Sequence, residues 1–152
     1  LLRDWLAAGS AAPVDGTGYA VTPALREWYR EADTDELEYA AGQAAAVAAL
    51  RLLGTDAQAP RRRAVLAVDV EESSARPDGA APAAVTVAEP VPRSAWASAL
   101  VDDGDAESVV SAAVSSLAAA ASGDPDAEFA LDEAAAHELG WYAVQELADL
   151  LG

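Results

Sequence analysis

The sequence contains no Cys, Met, Lys, Ile or Asn, one His and one Phe. The absence of Cys excludes a disulfide framework, a thiolate metal site and a Cys nucleophile. A single imidazole excludes any site that needs two. Basic charge is scarce: 9 Arg face 26 acidic residues, giving a formal charge of −17. Nucleic acid and anionic membranes are therefore expected to be repelled before contact. Long apolar runs are absent as well, and none approaches the roughly 20 residues needed to cross a bilayer.

What is present is a chain of 152 residues, 53% of them hydrophobic, with Ala at about a quarter of all positions. That is enough apolar material for a real core. The all-Arg, Ala-rich usage fits a bias toward GC-rich codons, or an acidic surface adapted to salt. The chain opens on Leu1-Leu2-Arg3-Asp4-Trp5-Leu6 without Met, as if a helix were already under way, so preceding residues are expected to be missing. Arg3 and Asp4 interrupt any secretory h-region, and the expected setting is cytoplasmic.

Leu2, Trp5 and Leu6 share a helical face that Gly9 can close. Residues 10–18 read as a loop and residues 18–22 as a short strand. Thr22-Pro23 is a helix start, with Thr as N-cap and Pro at the first helical position. Leu25, Trp28 and Tyr29 then fall at i, i+3, i+4, which predicts one buried aromatic stripe. A long helix is expected from Asp33 to Leu53, with Asp33 and Glu36 as a capping box and Gly54 at its end. Residues 63–70 and 84–89 read as strands of one hairpin, with residues 71–83 as its mobile loop. Helices are expected at residues 93–100 and 105–121. Residues 139–144 read as a strand, with a short helix from Glu146. Together these predict one α+β domain over residues 1–152. It would carry a mixed or antiparallel sheet of about four to five strands, with helices packed mainly on one face.

Candidate chemistry is sparse. His137 beside Glu138 pairs an imidazole with a carboxylate, as a general acid or base requires, but a structural His would look the same. Asp102, Asp103, Asp105 and Glu107 crowd a helix start; they suit a divalent cation or, more plainly, capping of free N–H groups. Asp124, Asp126, Glu128 and Asp132 imitate a calcium loop. However, Phe129 stands at the turn Gly position and Ala135 at the bidentate Glu position, so a solvated acidic segment is expected. Asp69 ends a strand, a common place for a catalytic carboxylate. Arg61-Arg62-Arg63 reads as a charged strand flank or an anion contact. Gly16-Thr17-Gly18 lacks a dinucleotide fingerprint, and no cofactor or metal is expected. The pairs Trp28-Tyr29 and Trp141-Tyr142 suit either a core or an interface.

Tyr19 to Tyr29, Leu37-Glu38-Tyr39-Ala40, Arg62 to Asp69, Val101-Asp102-Asp103 and His137 to Tyr142 together resemble an uncharacterised family of short, acidic actinobacterial proteins. The resemblance implies a short strand before the first helix and no assigned activity. Two functions remain open. One is a non-enzymatic interaction or regulatory module, acting as a homodimer or with another protein through Trp28, Tyr29, Trp141 and Tyr142. The other is a small enzyme or ligand-binding protein, in which Asp69, Asp102, Asp103 and His137 surround a pocket for a small molecule.

Overall fold

A computed structural model describes residues 1–152. The helices are α1 (Leu2–Ala8), α2 (Pro23–Trp28), α3 (Thr34–Leu53), α4 (Glu107–Ala121), α5 (Pro125–Ala136) and α6 (Leu147–Leu151). The strands are β1 (Ser10–Ala11), β2 (Thr17–Tyr19), β3 (Ala64–Val68), β4 (Arg76–Pro77), β5 (Ala84–Thr86), β6 (Val91–Pro92), β7 (Trp96–Val101) and β8 (Gly140–Ala143). The fold is α+β, as expected. Its strands are divided among three small sheets, with orders β1-β6, β2-β5-β4 and β3-β7-β8.

The chain forms two compact units. The first comprises Leu1–Ala45, Leu66–Ser98 and Ala143–Gly152, and the second Ala46–Val65 and Ala99–Tyr142. Leu25, Leu37, Ala41 and Ala83 form a core of the first unit, with Tyr19, Val21 and Ala44 packed against it. Helix entry there follows the sequence closely. The Thr22 hydroxyl accepts the Leu25 N–H at 3.1 Å and donates to the Pro82 carbonyl. Asp33 and Glu36 form a reciprocal capping box, with both bonds at 2.9 Å. Gly9 closes α1 at φ 71°, a left-handed conformation that a Cβ disfavours.

The second unit is built around α4 and α5. Val110, Ala113, Ala106, Ala134 and Leu50 are buried together, with Val109, Leu117, Leu131 and Leu53 packed against them. Ala113 and Ala134 have no exposed surface, which lets backbones approach closely where larger side chains would hold them apart. Gly54 follows the end of α3; a Cβ there would stand 2.9 Å from Leu117 Cδ1, so the leucine side chain would have to shift.

Several expectations are corrected. Residues 63–70 and 84–89 do not form a hairpin: β3 lies beside β7, whereas β5 pairs with β2 and β4. Between them, residues 71–83 contain a tight turn at Glu72–Ser74 and strand β4. Residues 93–100 do not form the expected helix, although Trp96, Ala99 and Leu100 satisfy helical spacing. Arg93–Ala95 makes a single tight turn and the rest is strand β7, the middle strand of its sheet, and the Trp96 indole N–H donates to the Val91 carbonyl at 3.0 Å. Ala-rich segments carry little local preference against pairing on both sides, so tertiary context decides.

The acidic segment after Gly123 is helix α5, with Asp124 as N-cap and Pro125 at its first position. The strand at residues 18–22 shortens to Thr17–Tyr19, since Thr22 already serves as a cap. Residues 139–144 do hold a strand, β8, and α6 follows Glu146. No helix is long and apolar enough to cross a membrane.

Candidate functional site

The three consecutive arginines turn to the second unit's own backbone and to the Asp102 carboxylate. Arg61 donates to the Leu53 carbonyl at 2.7 Å and the Asp56 carbonyl at 3.1 Å, closing the end of α3. Arg62 donates through Nε to the Asp102 carbonyl at 2.9 Å. Arg63 is 3% exposed and Asp102 is fully buried.

The Arg63–Asp102 pair is bidentate, with Nε on Oδ2 at 2.8 Å and Nη2 on Oδ1 at 2.9 Å. The Arg63 backbone N–H adds a third bond to Oδ2 at 2.7 Å. The same guanidinium donates to the Ala134 carbonyl at 2.8 Å and the His137 carbonyl at 3.0 Å, where α5 ends. A buried cation thus satisfies one carboxylate and two carbonyls at the negative pole of a helix. Sequence reasoning missed this pair, because Arg63 looked like a strand flank and Asp102 like part of a capping cluster.

The remaining acid–base candidates are also accounted for. Asp103 caps the turn before α4, accepting the Ala106 N–H at 3.1 Å. His137 Nε2 lies 3.3 Å from Asp103 Oδ1, so these two expected residues do meet. Asp102, next to them in sequence, faces Arg63 rather than solvent. Glu138 is exposed. Asp69 belongs to the first unit, exposed at the rim of a groove. No group of three or more His, Asp or Glu side chains is arranged to hold a metal ion.

The aromatic pairs behave differently from a core. Trp28 is 71% exposed and Trp141 64% exposed, with Tyr29 also exposed and Tyr142 half-buried. The expected buried stripe on α2 is corrected: only Leu25 is buried. The helix ends at Trp28, and Tyr29 leaves helical geometry at φ −119°, ψ 65°, so the i, i+3, i+4 alignment is lost at its last member. Phe129, the only Phe, is 62% exposed on α5.

Trp28 is flanked in sequence by a short balanced stretch, residues 26–31. Arg26, Glu27, Arg30 and Glu31 alternate and cancel within a sequence of net charge −17. All four of these charged side chains are exposed, as Trp28 is.

These features define an α+β protein with an inward-facing arginine clamp and exposed indoles. The chain belongs to the family described as "Family of unknown function (DUF6912)", which matches residues 1–151. No curated protein and no solved structure matches it.

Proposed function

We propose that this protein is a non-enzymatic interaction module of the cytoplasm that works as a homodimer, with Trp28 and Tyr29 at the centre of its contact. The observation that carries the reading is the 71% exposure of Trp28 on a stretch whose charges cancel. Trp and Tyr are the residues that most often dominate interface energetics, because they bury large area at small entropic cost.

A two-fold contact brings the same patch from each copy together. The alternation Arg26, Glu27, Arg30, Glu31 is self-complementary under such an operation: cations of one copy can face anions of the other. Within one copy Arg30 already pairs with Glu27, an exposed contact that costs little to exchange. The fates of Asp102, Asp103 and His137 support a non-enzymatic reading, since each is engaged in holding backbone or a neighbouring side chain. The total charge of −17 disfavours nucleic acid as a partner.

Native mass spectrometry of the untagged protein and of Trp28→Ala tests this directly. The expected result is a dimer for the wild type and a monomer for the variant. A wild type that stays monomeric, or a variant that dimerises equally well, overturns the reading.

A further inference from the structure

We propose that the junction of Asp78 and Gly79 is a self-modifying site, at which the folded chain isomerises spontaneously to isoaspartate. The sequence has three Asp-Gly pairs, Asp15-Gly16, Asp78-Gly79 and Asp103-Gly104. A Gly, having no Cβ, leaves its nitrogen open to the carboxyl carbon of the residue before it. The Gly79 nitrogen attacks Asp78 Cγ and an N–Cγ bond forms. The amide proton and the carboxyl hydroxyl leave together as one water, which closes a succinimide ring. Water then adds back at one of the two ring carbonyls. Opening at Cγ restores Asp78. Opening at the backbone carbonyl leaves the chain running through Cβ, with a free α-carboxylate. One water is lost and one regained, so no other reactant is needed.

The fold separates the three pairs. Asp78 and Gly79 are both exposed, on the connection between β4 and β5. The Gly79 N–H donates to nothing, so its nitrogen is free to attack. The Ala80 N–H donates to Asp78 Oδ1 at 2.8 Å, which folds the carboxyl back over the Gly79 peptide. Nothing stands within 4 Å of where a Gly79 Cβ would be, so the ring has room to form. At Asp15 the nitrogen is occupied instead: the Gly16 N–H donates to the Pro13 carbonyl at 3.0 Å. At Asp103 the carboxylate is occupied. It accepts the Ala106 N–H at 3.1 Å and meets His137 Nε2 at 3.3 Å, so ring closure there would pull away the cap before α4. Asp56 isolates the effect of the glycine. It makes the same turn as Asp78, accepting the Gln58 N–H at 2.9 Å, but Ala57 follows it and brings a Cβ beside the attacking nitrogen. Isoaspartate at Asp78 inserts a backbone methylene just beyond the Pro77–Val85 pairing, where the Asp78 N–H donates to the Ala84 carbonyl at 3.3 Å. Strand β4 is therefore the element that loosens.

The test is to age the whole protein at neutral pH for several weeks, warm but well below its unfolding. Digestion and electron-transfer mass spectrometry then separate isoaspartate from aspartate at each position. A parallel sample is aged unfolded in guanidinium chloride. In the folded protein isoaspartate should accumulate at Asp78 at least about five-fold faster than at Asp103, where ring closure forfeits a helix cap. It should lead Asp15 and Asp56 by no smaller factor. In the unfolded sample the three Asp-Gly pairs should react alike, with Asp56 still slow. Asp78→Glu should abolish the folded-state product, since the longer side chain closes a larger ring far more slowly. Isoaspartate at Asp15 or Asp103 of the folded protein as fast as at Asp78, none at Asp78, or the same preference for Asp78 in guanidinium overturns the proposal.

Discussion

Asp102 receives three hydrogen bonds from Arg63, two from the guanidinium and one from the backbone N–H, although 39 positions separate the two residues in sequence. The geometry closes in the other direction too, since the Asp102 N–H donates to the Arg63 carbonyl at 3.0 Å. Burying two charges costs several kcal/mol per ion. Here the cost is offset because every buried side-chain nitrogen and oxygen has a partner.

Removing one partner of this pair should therefore be severe. Asp102→Ala leaves a buried guanidinium uncompensated, and is expected to cost about 3–5 kcal/mol. Denaturant unfolding of Arg63→Met, Asp102→Ala and the double variant measures the coupling. The double variant should recover part of the loss, but not all of it. Arg63→Met also strips donors from the Ala134 and His137 carbonyls. Strictly additive losses would contradict the pairing.

The N-cap at Thr22 supports a second, smaller prediction. Thr22→Ala removes the acceptor for Leu25 N–H and the donor to the Pro82 carbonyl, so about 1–2 kcal/mol of stability should be lost. Thr22→Ser keeps both bonds and should retain most of it. Thermal unfolding of the two variants side by side distinguishes the bonds from the methyl group.

At Gly9 the backbone conformation itself sets the cost. With φ at 71° and nothing within 4 Å of where a Cβ would stand, Gly9→Ala is uncrowded yet strained. A loss of about 1 kcal/mol is expected, mostly from the left-handed backbone. Gly54→Ala differs in kind, because its Cβ would press on Leu117 Cδ1 in the second unit's core. Its loss, read by denaturant unfolding, should shrink when Leu117 is also shortened to Ala, whereas that of Gly9→Ala should not change.

Local grammar was legible where side chains act on their own neighbours. Thr22-Pro23, the Asp33–Glu36 box and Gly9 all do in the structure what their positions suggest. The same grammar stands at Asp124-Pro125, where a likeness to calcium loops obscures a plain N-cap. Strand pairing was not legible. Six of the eight strands have four residues or fewer, too short for alternation to specify a partner. Strand β7 illustrates the limit, since its Trp96, Ala99 and Leu100 fit a helical face as well as they fit the sheet.

The candidate site was legible only in part. The contact of Asp103 with His137 joins two residues expected to matter, but the role of Asp102 depends on an arginine distant in sequence. The exposure of Trp28 could not be read from spacing alone. Spacing puts Trp28 on the face of Leu25, yet only Leu25 of that face is buried.

Sedimentation equilibrium of the wild type and Trp28→Ala, at about 50 mM and about 500 mM salt, tests the central claim most directly. The account predicts a wild-type dimer that tightens as salt rises. Screening the repulsion between two chains of charge −17 outweighs the weakening of a few exposed ion pairs. Trp28→Ala should dissociate about 30-fold more readily with its folding stability unchanged, as expected for a central aromatic anchor. A monomeric wild type at both salt concentrations, or a dimer indifferent to Trp28, would contradict it.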